Sequence, residues 1–83
     1  MDVRNMPWIG EELEVTSSTD SSYSGRTGMV INESKRMVTL KEGEKTIKLP
    51  KQEIHFTINQ SKIIDGRKMN KRPEDRINYK FRG

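Results

Sequence analysis

"SGRTGMV", residues 24–30, is the stretch whose reading decides the fold. Two glycines stand three apart, Arg26 and Thr27 lie between them, and an apolar pair follows. A glycine costs a strand backbone entropy and packs nothing. Gly28 therefore belongs at the start of an apolar run only where the strand bends sharply or another backbone comes close. A loop glycine followed by an incidental one is the plainer alternative. We read Gly25 as part of the loop entering a long second strand, and Gly28 as the corner that lets this strand serve both halves of a small barrel.

On either side the hydrophobic residues alternate with polar ones, the period of a half-buried strand. Leu13 and Val15 alternate with Glu12, Glu14 and Thr16, which predicts a strand over residues 12–17. Residues 26–33 form the second strand, 32–36 its turn and 37–41 the third. Residues 42–44 turn the chain into a fourth strand over 45–49, ended by Pro50. Ile54, Phe56 and Ile58 alternate most cleanly, and Ile63-Ile64 opens a last short strand. The chain contains no alanine but 18 Val, Ile and Thr residues among 83, a bias toward β structure. Leu, Ile, Val and Phe number only 17, too few to cover both faces of an open six-stranded sheet. Closure into a barrel shares one core among all strands and removes the edges. The expected fold is all-β, a small antiparallel barrel over residues 12–66, with Leu13, Val15, Val30, Val38, Leu40, Ile47, Ile54, Phe56 and Ile58 inside.

The charge is uneven. Residues 1–61 carry 8 Lys/Arg against 9 Asp/Glu, whereas residues 62–83 carry 8 against 3, so a net of +5 sits in the last third. Such a tail is an arm for polyanions or a solvated extension that aids solubility. Within "KRPEDRINYKF", residues 71–81, Pro73 suits a first helical position and Glu74-Asp75 suit the first turn. Ile77 and Phe81, four apart, would then share a face. A helix this short needs a surface to pack on. Residues 1–11 and 67–83 are therefore expected to be flexible segments that order on assembly, with Trp8, Ile9, Ile77 and Phe81 as apolar anchors for a partner.

Catalytic machinery is not apparent. Without cysteine there is no disulfide, thiolate nucleophile or thiolate-ligated zinc. His55 is the only histidine, and Glu11, Glu12 and Glu14 lack a second acidic cluster for a two-metal site. The Gly25/Gly28 pair lacks the Lys-Ser/Thr ending of a phosphate-binding loop. No run approaches a membrane span and no signal peptide is recognisable, which points to the cytoplasm. What remains is binding, by Arg26, Lys35, Arg36, Lys45, Lys48 and Lys51 on the body and Arg67, Lys68, Lys71, Arg72 and Arg76 on the tail, all suited to phosphates. Arg72 has an alternative structural role beside Glu74-Asp75.

"WIG" (8–10), "LEV" (13–15), "YSGRTGMVINESKRMVTL" (23–40), "KTIKLPK" (45–51) and "IIDGRKMNKRPEDRI" (63–77) follow one another in an order that resembles archaeal ribonuclease P protein component 1. The most specific piece is Asp65-Gly66 followed by Arg72–Arg76; Gly25 to Val30 also occurs in other small-barrel RNA binders. The resemblance implies an Sm-like barrel, with Gly25, Gly28, Gly66 and Pro73 in structural positions. It further implies a noncatalytic subunit of the ribonucleoprotein that removes the 5′ leader from precursor tRNA. Its partners would be ribonuclease P RNA, precursor tRNA, a zinc-ribbon protein subunit and the other ribonuclease P proteins. The chain itself would bind no cofactor and be a monomer when free, Mg2+ being needed on the RNA. A ribosomal (KOW) or Sm-type barrel, or a protein adaptor with a solubilising tail, are the alternatives.

Overall fold

The computed structural model describes residues 2–81. The alternating segments form six antiparallel strands: β1 Glu12–Ser18, β2 Thr27–Glu33, β3 Met37–Glu42, β4 Lys45–Pro50, β5 Ile54–Ile58 and β6 Ile64–Asp65. They lie in the order β4-β3-β2-β1-β5-β6. Tight turns set the hairpins. Glu42 pairs with Lys45, leaving a two-residue loop in which Gly43 has φ +63°, a conformation glycine adopts without cost. Pro50 ends β4 on the edge of the sheet, where a missing N–H breaks no ladder.

The hydrogen-bonded ladder is not closed, contrary to expectation, because β4 and β6 remain its two ends. Six strands laid flat would put these ends about 24 Å apart at the usual strand spacing. Instead Leu49 of β4 and Ile64 of β6 share one core cluster. The single 3-10 turns that follow the two end regions, Lys51–Glu53 and Gly66–Met69, also touch each other. The sheet therefore curls until its ends meet through backbone contact rather than strand pairing. Gly66 makes this possible, since a Cβ there would lie 1.8 Å from the Lys51 carbonyl oxygen and 2.6 Å from that of Ile54.

Gly28 is also needed for a close approach. A Cβ would sit 2.6 Å from the carbonyl oxygen of Lys41 on β3. The irregularity of β2 comes later than expected, at Ile31: Val30 pairs with Leu40 but Asn32 with Thr39. This extra residue resets the alternation, so that Ile31 and Asn32 both face out and Glu33 turns inward. A similar shift between Val15 and Ser17 on β1 leaves Thr16 to donate its hydroxyl to the His55 carbonyl at 3.1 Å.

Eight of the nine expected core residues are buried, while Ile47 is only partly so. The core also takes Trp8, Leu49, Ile64 and Met69. Trp8 and Met69 come from the segments expected to be flexible, so the divisions at residues 11 and 66 are not boundaries in packing. Trp8 packs edge-on to Phe56 with ring centroids 5.2 Å apart. The C-terminal helix α1 spans only Pro73–Ile77, with Pro73 in its first turn as expected. It stops because side chains take over its last carbonyls. Asn78 Nδ2 donates to the Glu74 carbonyl, and the two N–H groups of Asn5 Nδ2 serve the carbonyls of Arg76 and, just past the helix, Tyr79. Ile77 and Phe81 consequently do not share a helical face. Ile77 is exposed, and Phe81 lies beyond the helix against Tyr79 and the Arg4 guanidinium.

Candidate nucleic-acid interface

The basic residues divide by environment. Arg76 is completely buried. Its Nε and Nη2 donate to the two carboxylate oxygens of Glu33, both at 2.8 Å, and its Nη1 donates to the carbonyls of Arg4 at 2.7 Å and Met6 at 2.6 Å. Its guanidinium carbon lies 3.6 Å from the Trp8 ring centroid. Planar donors facing a carboxylate and an aromatic face are what a guanidinium satisfies and an ammonium cannot. Lys51 completes the cluster: its Nζ donates to Glu33 at 2.9 Å and to the Lys71 carbonyl at 3.1 Å. Burial pushes the Lys51 ammonium below its ordinary pKa, against the opposing pull of Glu33. Trp8 donates its indole N–H to the Val3 carbonyl at 3.1 Å. Among the described residues, no buried side-chain polar atom lacks a partner.

Two expected roles are thereby corrected. Arg76 cannot meet a phosphate, because its donors are engaged and its side chain is sealed from solvent. Trp8 cannot anchor a partner, because it lies inside the core under two cations. Sequence reasoning gave Glu33 no site role and counted Lys51 among the surface cations, whereas both are buried. The one available signal was the specificity of the segment ending in Arg76.

The other cations are differently placed. Arg26 is tied to Glu42 at 2.8 Å on the surface. Lys45 and Lys48 project from the edge strand β4, and Lys68 from the turn after β6. Lys71 lies 3.8 Å over the half-exposed Tyr79 ring. Lys35, Arg36 and Arg72 come together, lining with Met37, Pro73 and Glu74 a shallow cleft between the β2–β3 turn and the start of α1. These three cations are exposed, and no salt bridge engages them among the described residues. A cleft with unpaired cations on two walls attracts a polyanion.

A different surface lies along β2, where Met29 and Ile31 are exposed. The Gly10 N–H donates to the Val30 carbonyl at 2.7 Å, which brings the exposed Ile9 alongside this strand. Glu12 stands opposite Met29 in the ladder. Apolar residues beside an acid suit a protein better than RNA.

No group of three or more His, Cys, Asp or Glu residues that could hold a metal occurs among the described residues. His55 Nε2 lies 3.8 Å from Asp65 on a half-exposed strand position. No described helix is long and apolar enough to cross a membrane.

Comparison with known proteins accounts for the most specific of these features together. Ribonuclease P protein component 1 of Thermoplasma acidophilum is 40% identical over 70 residues, covering 84% of this chain and 79% of the relative. That of Methanococcus maripaludis is 44% identical over 81 residues, covering 89% and 84%. A solved structure of Mth11, described as a homologue of human RNase P protein Rpp29, aligns with a TM-score of 0.62 and 27% identity over 87% of this chain and 99% of that one. The family described as ribonuclease P/MRP, subunit p29, matches residues 2–79, a span that takes in the core strands, Trp8, Glu33 and Arg76 alike. With nearly its whole length matched, the chain belongs to the ribonuclease P/MRP subunit p29 family.

Proposed function

We propose that this chain is a noncatalytic, RNA-binding protein subunit of ribonuclease P, supporting RNA-catalysed removal of the 5′ leader from precursor tRNA in the cytoplasm. The family match across residues 2–79 carries this reading. The exposed cations Lys35, Arg36 and Arg72 support it. Bond cleavage is left to the RNA and the Mg2+ it holds, and the protein contributes electrostatic binding and positioning. The strip formed by Ile9, Met29 and Ile31 suits a protein partner, for which we propose the zinc-ribbon subunit of the same enzyme. Free in solution the chain is a monomer. The test is reconstitution of precursor-tRNA cleavage from the RNA and the remaining protein subunits, with and without this chain. Cleavage at low Mg2+ that falls when the chain is omitted supports the reading; cleavage indifferent to the chain refutes it.

A further inference from the structure

We infer that the cleft between the β2–β3 turn and the start of α1 binds RNA phosphates, and that buried Arg76 is its positioning residue, holding Arg72 opposite Lys35 and Arg36. The inference rests on the ribonuclease P reading above and adds to it a place on the surface and a reason for the buried cluster.

The two walls of the cleft come from distant parts of the chain and meet at one carboxylate. Glu33 is the last residue of β2, immediately before the turn that carries Lys35 and Arg36. Arg76 lies one helical turn after Arg72, and its backbone N–H donates to the Arg72 carbonyl at 2.8 Å. The bidentate Arg76–Glu33 pair therefore fixes the Arg72 wall against the Lys35–Arg36 wall. Lys51 fixes the approach to that wall, bonding both Glu33 and the Lys71 carbonyl. The N-terminal segment closes the frame from outside, with Asn5 holding the end of α1 and the Arg4 and Met6 carbonyls holding Arg76. Three side chains, two of them planar guanidinium groups, remain free on the cleft walls. Met37 and Pro73 supply apolar surface between them. Glu74 is the one free acid on the rim, Glu33 being consumed from beneath by two cations. The net positive, shallow and open shape fits a nucleic-acid backbone better than an enclosed small anion.

The experiment measures binding of an in vitro transcript of ribonuclease P RNA to the full chain over a range of salt, alongside reconstituted cleavage. Lys35→Ala/Arg36→Ala/Arg72→Ala should weaken binding at least about tenfold and make the log–log salt slope shallower by about two to three, one per lost phosphate contact. Arg76→Met should weaken binding in the wild-type background and cost nothing further in the triple variant, as a residue acting only through Arg72 must. Should Arg76→Met not fold, Asn5→Ala carries the same cycle, because it releases the end of α1 and leaves the buried charges paired. If the triple variant keeps wild-type affinity and slope while the wild-type chain still supports cleavage, the cleft assignment is wrong and the subunit reading stands. If the triple variant keeps RNA and loses a protein subunit, the cleft belongs to a protein and the inference fails. An Arg76→Met loss that persists undiminished in the triple background removes the positioning role. Absence of both RNA binding and cleavage support by the wild-type chain overturns the subunit reading and this inference together.

Discussion

Arg72 and Arg76 lie four residues apart on the same short segment and have opposite surroundings. Arg72 stands exposed at the start of α1 with no ion-pair partner among the described residues, whereas Arg76 is sealed beneath Trp8 with a carboxylate and two carbonyls as partners. Identical side chains thus serve different ends. The exposed one keeps its donors for something outside the molecule. The buried one spends its donors on holding three segments together, at a desolvation cost that is offset only while every partner is present. A charge count alone does not separate the two roles; the number of internal partners does.

The comparison can be broken most forcefully at Glu33. Glu33→Ala leaves two buried cations without their shared carboxylate and should destabilise the fold by about 3–5 kcal/mol in urea unfolding. A midpoint shift no larger than that of a surface pair would mean that the cluster is hydrated. Gly66→Ala tests the frame around it: its Cβ would overlap the Lys51 carbonyl, and a loss of about 3 kcal/mol or more is expected from the forced backbone shift. Gly28→Val should cost less, about 1–3 kcal/mol, because its clash with the Lys41 carbonyl is milder. An unchanged midpoint would make the close β2–β3 approach incidental. Arg72→Ala should leave the unfolding midpoint where it is, in direct contrast to Glu33→Ala.

A small, pH-dependent effect sharpens the contrast between buried and exposed pairs. A hydrogen bond from the Arg67 side chain, aided by the Arg67 backbone N–H, holds the Asp65 carboxyl below its usual pKa of 3.8. The folded form keeps this charge more readily than the unfolded form does. Its contribution is therefore complete above the unfolded value and is lost as pH falls through the lower folded one. Asp65→Asn, which retains an oxygen to cap the Arg67 N–H, should slightly narrow the difference in stability between pH 7 and about pH 3. A variant with the same pH dependence as the parent would mean that the exposed pair contributes nothing.

The strands were legible because alternation survives in a small, half-polar sheet. Leu13, Val15, Phe56 and Ile58 face inward as their spacing requires. Gly28 was legible as a position that needs glycine, but for the wrong one of two reasons: its neighbour is a carbonyl, and the bend lies at Ile31. That extra residue explains why the buried cluster was hidden. By strict alternation from Val30, Asn32 faces in and Glu33 out, so one bulge reverses the side on which the key carboxylate falls. Lys51 and Arg76 were read as surface cations because nothing in their neighbours signals burial. The flexibility expected of both termini was likewise argued from sparse apolar content, whereas here the segments are held by Trp8 and by donors to carbonyls. The segment ending in Arg76 was singled out as specific through resemblance, and its geometry gives that specificity a physical cause.

The most direct test of the account is hydrogen exchange of the arginine Nε–H groups in the free protein, followed by nitrogen-15 NMR. Arg76 Nε–H, bonded to Glu33 and sealed from water, should exchange orders of magnitude more slowly than Arg72 Nε–H, approaching the rate of global unfolding. Equal, fast exchange at both positions would show the terminal segments to be undocked in solution and would contradict the division of labour between the two arginines.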